Sequence, residues 1–386
     1  MDFGLSDEQQ AIKEVAARFG RERLAPYYMQ RERQNGLDRT LLREMAGLGF
    51  MGMGVSAERG GMALDCVTRG IVTEEIAYHD FNVAYLMLLG SLMGELLCEH
   101  AQPEVVEEWL PRVVGGEALV ALGLTEPRGG SDAANLQLKA ERQGDEYVLS
   151  GEKTSITFSD QADLIILFAR TGKPEQGARG VSAFLVPLDL PGITRTRFND
   201  VGTKLIGRGS VFFDQVRIPA VNRMGDEGRG FVQVMQAFDF SRILLGLQCL
   251  GAAQASLDEA WAYTKERQAF GAPIAQYQGV TFPLAEADTL MSAARTLCYR
   301  GLWLRDQRLP HTAEAAMCKW WPPKLAYEVI HQCLLTHGHY GYTMDLPHQQ
   351  RMRDVLGLQI GDGTAQIMKL VIARERVGRV AVQYAG

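Results

Sequence analysis

What this chain lacks narrows its identity first. Among 386 residues there are six cysteines, at 66, 98, 249, 298, 318 and 333, and no two form a C-x-x-C pair. That spacing excludes a disulfide framework and a cysteine zinc site, and it predicts reduced thiols used as core filler. Positive charge is not in excess: 40 Lys+Arg stand against 46 Asp+Glu, a formal net charge of -6, so no global field favours nucleic acid. The uncharged stretch around Ile243-Leu244-Leu245 ends by Leu257, short of the roughly 20 apolar residues a bilayer requires, and no membrane insertion is expected. Met1-Asp2-Phe3-Gly4 carries neither a basic region nor an apolar run, so nothing indicates secretion and the expected location is cytoplasmic. His331, His337, His339 and His348 cluster in sequence without H-E-x-x-H spacing or a cysteine companion, which predicts a histidine-bearing turn and no metal.

What remains is a soluble, globular composition, 46% hydrophobic and 22% charged, in a chain long enough for two or three packed units. Residues 6 to 118 have helical periodicity. Ser6 and Gln9 make a capping-box signature before Ile12, Val15 and Phe19, and Pro26 ends the run. Further helical stretches follow near 39 to 48, 66 to 78, 82 to 98 and 103 to 113. From 119 to 224 the texture changes to β-rich runs, among them Tyr147-Val148-Leu149, 164 to 168, Val181 to Val186 and Val211-Phe212-Phe213, which predicts a small antiparallel unit. From 225 to 386 the helical period returns, with Phe231, Val234, Met235 and Phe238 and then 252 to 268, 276 to 307, 310 to 337 and 363 to 384.

Two segments invite a chemical reading. Gly225-Asp226-Glu227-Gly228-Arg229-Gly230 lacks the ending of a phosphate loop and reads as a flexible helix entrance. Thr125-Glu126-Pro127-Arg128-Gly129-Gly130-Ser131-Asp132 builds a tight loop whose hydroxyls suit a polar ring edge or a thioester, although the same residues serve a purely structural turn. Asp362 is open in the same way: with Gly363 after it, it reads as a helix N-cap near Thr364 or as a reactive carboxylate.

These segments resemble the acyl-CoA dehydrogenase family, and five matches fall in the family's order along almost the whole chain. Thr125 to Asp132 resembles its Thr-Glu-Pro-x-x-Gly-Ser-Asp signature, and Gly151-Glu152-Lys153-Thr154-Ser155-Ile156-Thr157 its Gly-x-Lys-x-Trp-Ile-Thr strand. Phe238-Asp239-Phe240-Ser241-Arg242 is similar to the segment that contacts coenzyme A. Arg267 to Gly271 with Gln278 resembles the Arg-x-x-Phe-Gly…Gln element, and Asp362-Gly363-Thr364-Ala365-Gln366 the Glu-Gly-Thr-x-Gln motif. Gly338 and Gly341 sit at the family's glycine turn.

The resemblance implies a mainly α fold with an N-terminal helical domain (1–118), a middle antiparallel β-barrel domain (119–224) and a C-terminal four-helix bundle (225–386). It implies FAD, held by Leu124, Thr125, Ser131, Ser155, Thr157, Gly338, Thr364 and Gln366, with Arg267, Phe270 and Gln278 reaching the FAD of a neighbouring subunit in a homotetramer. Ser131, Asp239, Arg242 and Gly363 would hold the acyl-CoA, and electrons would pass to an electron-transferring flavoprotein. Tyr85 and Leu88 would line the far end of the acyl pocket, or belong to ordinary helix packing. The reaction implied is α,β-dehydrogenation, in which a carboxylate removes the α-proton and hydride leaves the β-carbon.

Departures from the family pattern locate the base. Some members carry it on the earlier helix, where this chain has Ser241, and that leaves Asp362, with Asp345 as the residue to test next. Aspartate replaces the usual glutamate, Ser155 the usual Trp, Leu335 the usual Gln and His339 the second turn glycine. The aspartate with its neighbours resembles the cyclohexane-1-carbonyl-CoA dehydrogenases of alicyclic degradation, so a cyclic acyl-CoA is expected. A straight- or branched-chain dehydrogenase, an oxidase using oxygen and a catalytically silent acyl-CoA or acyl-carrier binding module are the alternatives.

Overall fold

The computed structural model describes residues 4–34 and 36–381. Six helices come first: α1 (Asp7–Phe19), α2 (Tyr28–Arg31), α3 (Arg39–Gly47), α4 (Cys66–His79), α5 (Phe81–His100) and α6 (Pro103–Val114). The Ser6 hydroxyl accepts from the Gln9 amide at 3.2 Å while the Gln9 side chain accepts from the Ser6 amide at 3.1 Å, so the expected capping box is formed. The chain does not stop at Pro26, because a π turn (Gly20–Leu24) and a 3-10 turn (Ala25–Tyr27) carry it into α2. Gly47-Leu48-Gly49-Phe50-Met51-Gly52 has the G-x-G-x-x-G spacing of a dinucleotide loop, but it leaves a helix and enters a 3-10 turn. Without a strand before it, the motif lacks the context that gives it meaning. Helix α5 is long and apolar enough to cross a membrane, yet 83% of its apolar window is buried inside the protein.

The strands are β1 (Val120–Gly123), β2 (Lys139–Gln143), β3 (Glu146–Ile156), β4 (Leu164–Arg170), β5 (Val181–Pro187), β6 (Ile193–Arg195), β7 (Gly209–Pro219) and β8 (Arg223–Met224). They pair in the order β6-β7-β3-β2-β4-β5-β8. Pairing is antiparallel except that β1 lies parallel to β4 and Lys139 on β2 meets Arg170 on β4 in parallel. Register shifts interrupt β3 against β7 between Leu149 and Gly151 and between Lys153 and Ile156. In the second of these Ser155 takes a φ of 57°, and a bulge of that kind re-aims a side chain out of the sheet's alternation.

The last third is built on α7 (Gly230–Glu266), 37 residues long, followed by the hairpin strands β9 (Gln268–Ala269) and β10 (Ala272–Pro273) and by α8 (Gln278–Asp306), α9 (Thr312–Thr336), α10 (His348–Gly357) and α11 (Ala365–Val377). Where the sequence reading had two helical stretches, α7 runs unbroken through Gly246 and Gly251. A Cβ at Gly246 would lie 2.8 Å from the Cys318 carbonyl, and one at Gly251 would lie 2.4 Å from the Glu74 carbonyl. Those glycines bring α9 and α4 close to α7. The stretch read as one helix over 363 to 384 is α11, which ends before Gly378 with φ 75°, followed by a 3-10 turn (Gly378–Ala381); residues 382–384 of it lie outside the described residues. Helix α10, polar in sequence, went unread. One continuous apolar cluster joins all three parts of the chain, from Ala16 through Leu149 and Ile166 to Leu358.

Candidate active site

A cavity of about 660 Å³ opens where α5, the β unit and the last helices meet. Tyr85, Leu88 and Leu92 come one helical turn apart from α5, and Phe238, Ser241, Arg242 and Leu245 share one face of α7. The β unit contributes Leu124, Thr125 and Ser131 from the loop after β1, and Ser155 and Thr157 from the bulged end of β3. The segment between α10 and α11 closes the cavity with Ile360 through Thr364.

Thr364 caps α11, its hydroxyl accepting from the Ile367 amide at 3.3 Å. Asp362 is therefore not the cap. It precedes the helix in a left-handed turn, with φ 54° at Asp362 and 103° at Gly363, a conformation that Asp and Gly adopt more readily than other residues. The turn places the Asp362 carboxylate in the cavity wall, with the Tyr85 hydroxyl 3.5 Å from its Oδ2. The Asp362 carbonyl accepts from Arg242 Nε at 3.3 Å, and Lys319 Nζ donates to the carbonyls of Leu358 and, at 3.4 Å, Gly363. Burial pushes the Tyr85 phenol well above its ordinary value, an effect the nearby Asp362 carboxylate reinforces. Burial lowers the Lys319 ammonium to about 8 and also lowers the Arg242 guanidinium, against the opposing pull of Asp239 on the latter. Ser241 is 3% exposed and its hydroxyl donates to the Phe238 carbonyl at 3.4 Å.

The loop carrying Leu124 and Thr125 has a buried ionic support. Lys153 Nζ donates to Glu126 Oε1 at 2.7 Å and to the Leu124 carbonyl at 3.1 Å, while Glu126 accepts from the amides of Gln137 at 2.6 Å and Leu138 at 2.9 Å. The Thr154 amide donates to the Thr125 carbonyl at 2.9 Å. Burial lowers the Lys153 ammonium to about 8, with Glu126 opposing that drop. So fastened, Thr125, Ser131 and Ser155 face the cavity with hydroxyls that bond to no other described residue. A row of free hydroxyls opposite leucine side chains fits a flat, polar-edged ring system of the flavin type.

Eleven of the residues singled out in the sequence converge on this cavity: Tyr85, Leu88, Leu124, Thr125, Ser131, Ser155, Thr157, Arg242, Asp362, Gly363 and Thr364. Tyr85, expected at the far end of an acyl pocket, instead touches the carboxylate. Asp239 does not line the cavity, because its two oxygens are taken by Arg242 at 3.2 Å and Thr312 at 2.7 Å. Arg267, Phe270, Gln278, Gly338 and Gln366 stand on the exterior, Phe270 being 99% exposed on the β9–β10 hairpin. Asp345 is exposed in the turn before α10 and outside the cavity. The sequence reading passed over Lys319, whose one signal was a charge amid the apolar Ala315, Ala316, Cys318 and Pro322 of α9.

Known proteins share this architecture. Family models described as the N-terminal, middle and C-terminal domains of acyl-CoA dehydrogenase match residues 6–117, 121–216 and 228–376. The chain belongs to the acyl-CoA dehydrogenase family. It is thus an oxidoreductase, and its fold is the family's three-part fold. It is 36% identical to benzylmalonyl-CoA dehydrogenase of Aromatoleum aromaticum and 35% identical to a protein of Bacillus subtilis named as a probable acyl-CoA dehydrogenase, each alignment covering 97% of this chain and 99% of the relative. Among solved structures, butyryl-CoA dehydrogenase from Megasphaera elsdenii superposes with a TM-score of 0.93 at 33% identity, over 97% of this chain and all of that one.

Proposed function

We propose that this acyl-CoA dehydrogenase uses Asp362 to remove the α-proton of a thioester bound in the 660 Å³ cavity. The observation that carries the reading is the under-satisfied carboxylate. Asp362 receives one long hydrogen bond, from Tyr85 at 3.5 Å, and otherwise opens into the cavity, whereas Ser241 at the alternative position is buried and bonded to its own helix. A free carboxylate within reach of a substrate carbon is what general-base catalysis requires. Thr125, Ser131, Ser155, Thr157 and Thr364 would hold FAD, which supplies the hydride acceptor when bound. The Asp362 amide bonds to no described residue, so it is free to donate to the thioester carbonyl and stabilise the charge that develops there. Arg242 fixes the other face of the same peptide segment by holding the Asp362 carbonyl. Leu88, Leu92 and Leu245 exclude water from the acyl end.

The substrate favoured by this reading is a cyclic acyl-CoA such as cyclohexane-1-carbonyl-CoA. Its support is the shortened base: aspartate withdraws the carboxylate by about 1.5 Å, one C–C bond, relative to glutamate, and leaves room for a ring at the α-carbon. A homotetramer passing electrons to an electron-transferring flavoprotein completes the proposal. Phe270, Tyr340 and Tyr342, exposed to 99%, 62% and 82%, support it, because a neighbouring subunit would cover aromatic rings that this chain leaves open to solvent. Anaerobic mixing with a panel of acyl-CoAs, followed by bleaching of the flavin band, tests the reading. Comparable or higher kcat/KM for butyryl- or octanoyl-CoA would overturn the cyclic preference, since specificity is the ratio of those values. A strictly monomeric holoenzyme would contradict the shared cofactor.

A further inference from the structure

Lys319 is 1% exposed and, among the described residues, forms no ion pair with a carboxylate. A buried ammonium with no carboxylate in contact is costly, so its surroundings must repay it. They do so with backbone. Its Nζ donates to the Leu358 and Gly363 carbonyls, the two ends of the segment that carries Asp362. Two successive residues of that segment, Asp362 and Gly363, hold positive φ; Gly363 does so without strain, whereas Asp362 leaves its preferred backbone region and needs its surroundings to keep it there. Arg242 clamps the middle through the Asp362 carbonyl. Pro322 and Pro323, one turn further along α9, lack amide hydrogens and leave the Cys318 and Lys319 carbonyls without the usual helical donors.

We infer that Lys319 is a positioning residue for the base: by bridging the Leu358 and Gly363 carbonyls it holds the left-handed turn that aims the Asp362 carboxylate into the cavity, and its charge attracts that carboxylate. The inference rests on Asp362 being the base. Tyr85 on α5, Arg242 and Asp239 on α7, Arg374 on α11 beyond Arg242, and Arg208 in the loop before β7, beside Tyr85, are the charged and titratable groups around this turn, and Asp200 and Arg353 line the same cavity. Lys319 itself faces Cys249 and Arg242 across α7 and the Asp362 carboxylate. Among the described residues it is the one cation hydrogen-bonded to both ends of the turn.

The test compares Lys319→Met, Lys319→Gln and Asp362→Asn as full-length holoenzymes, with butyryl-CoA and cyclohexane-1-carbonyl-CoA as probes. Flavin content, acyl-CoA dissociation constant and the single-turnover rate of anaerobic flavin reduction are measured across pH. Lys319→Met should keep its flavin and bind acyl-CoA within about three-fold, yet reduce the flavin roughly 10- to 100-fold more slowly, as misplacement of a reacting group by about 1 Å does. The acid limb of its rate profile should move to higher pH, because removing a neighbouring cation favours the protonated carboxyl. Lys319→Gln, which keeps an N–H donor but no charge, should recover part of the rate while retaining the displaced limb. Rates that fall only in proportion to flavin content, or failure of both variants to hold flavin, would make Lys319 a structural lysine and overturn the inference. If Asp362→Asn is inactive while both Lys319 variants reduce flavin normally with an unmoved acid limb, positioning fails and the base assignment stands. If Asp362→Asn still reduces its flavin, the base assignment itself fails.

Discussion

Asp354 and Asp362 lie eight residues apart on either side of the same turn, yet their environments are opposite. Asp354 is 1% exposed and accepts from the Tyr28 hydroxyl at 2.7 Å, the Asn82 amide group at 2.9 Å and the Thr203 backbone amide at 2.5 Å. One carboxylate thereby joins the N-terminal helices, the β unit and the C-terminal helices. Asp362 accepts a single contact of 3.5 Å and faces a cavity. A carboxylate whose lone pairs are filled by fixed donors is a staple; one left open beside a cavity is available for chemistry. Chemical identity is the same, and the donors around it separate the roles.

Exchanging each aspartate for asparagine tests that contrast most severely. Asp362→Asn should fold normally, because asparagine tolerates the left-handed conformation, and should retain flavin and bind acyl-CoA. Its rate of flavin reduction should fall by more than the roughly 10²- to 10⁴-fold typical of a general base. A rate within a few-fold of normal would move attention to another carboxylate, and Asp345 is the first alternative despite its exposure. Asp354→Asn should do the reverse. Its amide would turn a donor toward donors, at a cost of about 3 kcal/mol in stability, read by urea unfolding, while the rate per folded molecule stays unchanged. A comparable loss of rate would dissolve the distinction between the two residues.

The local half of this contrast was legible in the sequence and the distant half was not. The Asp362-Gly363-Thr364 segment, the Thr125 to Asp132 loop and the Ser155 to Thr157 strand are contiguous motifs whose residue types announce their chemistry, and they meet in one cavity. Asp354, by contrast, derives its character from Tyr28, 326 positions away, and no pattern along α10 points there. Helix α10 itself was hidden because His348, Gln350, Arg351 and Asp354 are polar residues that the fold buries. Lys319 is similar, a lysine whose partners are main-chain oxygens 39 and 44 positions on. Helix α7 read as two pieces, whereas it runs unbroken and its Gly246 and Gly251 are points of close helix contact.

A smaller effect appears in the pH dependence of stability. Burial raises the Asp354 carboxyl to about 6, although the Thr203 amide and Tyr28 hydroxyl oppose the shift. The folded state then holds that proton more tightly than the unfolded chain, so this contribution is full below about 4 and is lost as pH rises to about 6. His348 acts with opposite sign. Burial lowers it to about 4, partly offset by Glu259, so its contribution is present above about 6.5 and is lost as pH falls toward 4. The two slopes counter each other in the native protein. Asp354→Asn removes one, and its stability should therefore fall more steeply on acidification from pH 6 to pH 4, by up to about 3 kcal/mol relative to the native curve. Parallel curves for variant and native protein would show that Asp354 does not titrate with folding as described.

The smallest expected effect concerns the one donor Asp362 does have. Tyr85 is 6% exposed, and its hydroxyl reaches Asp362 Oδ2 at 3.5 Å, at the limit of hydrogen-bond geometry, so little binding energy resides there. Its body lines the cavity one turn from Leu88, which is 2% exposed, and phenylalanine would fill the same space. Tyr85→Phe should leave the unfolding midpoint within the equivalent of about 1 kcal/mol. It should slow flavin reduction by less than roughly five-fold, the rate equivalent of a full hydrogen bond of about 1 kcal/mol. A stability loss as large as that of Asp354→Asn, with the rate per folded molecule intact, would mean that Tyr85 and Asp362 form a second staple. The contrast between a satisfied and an open carboxylate would then fail at its open end.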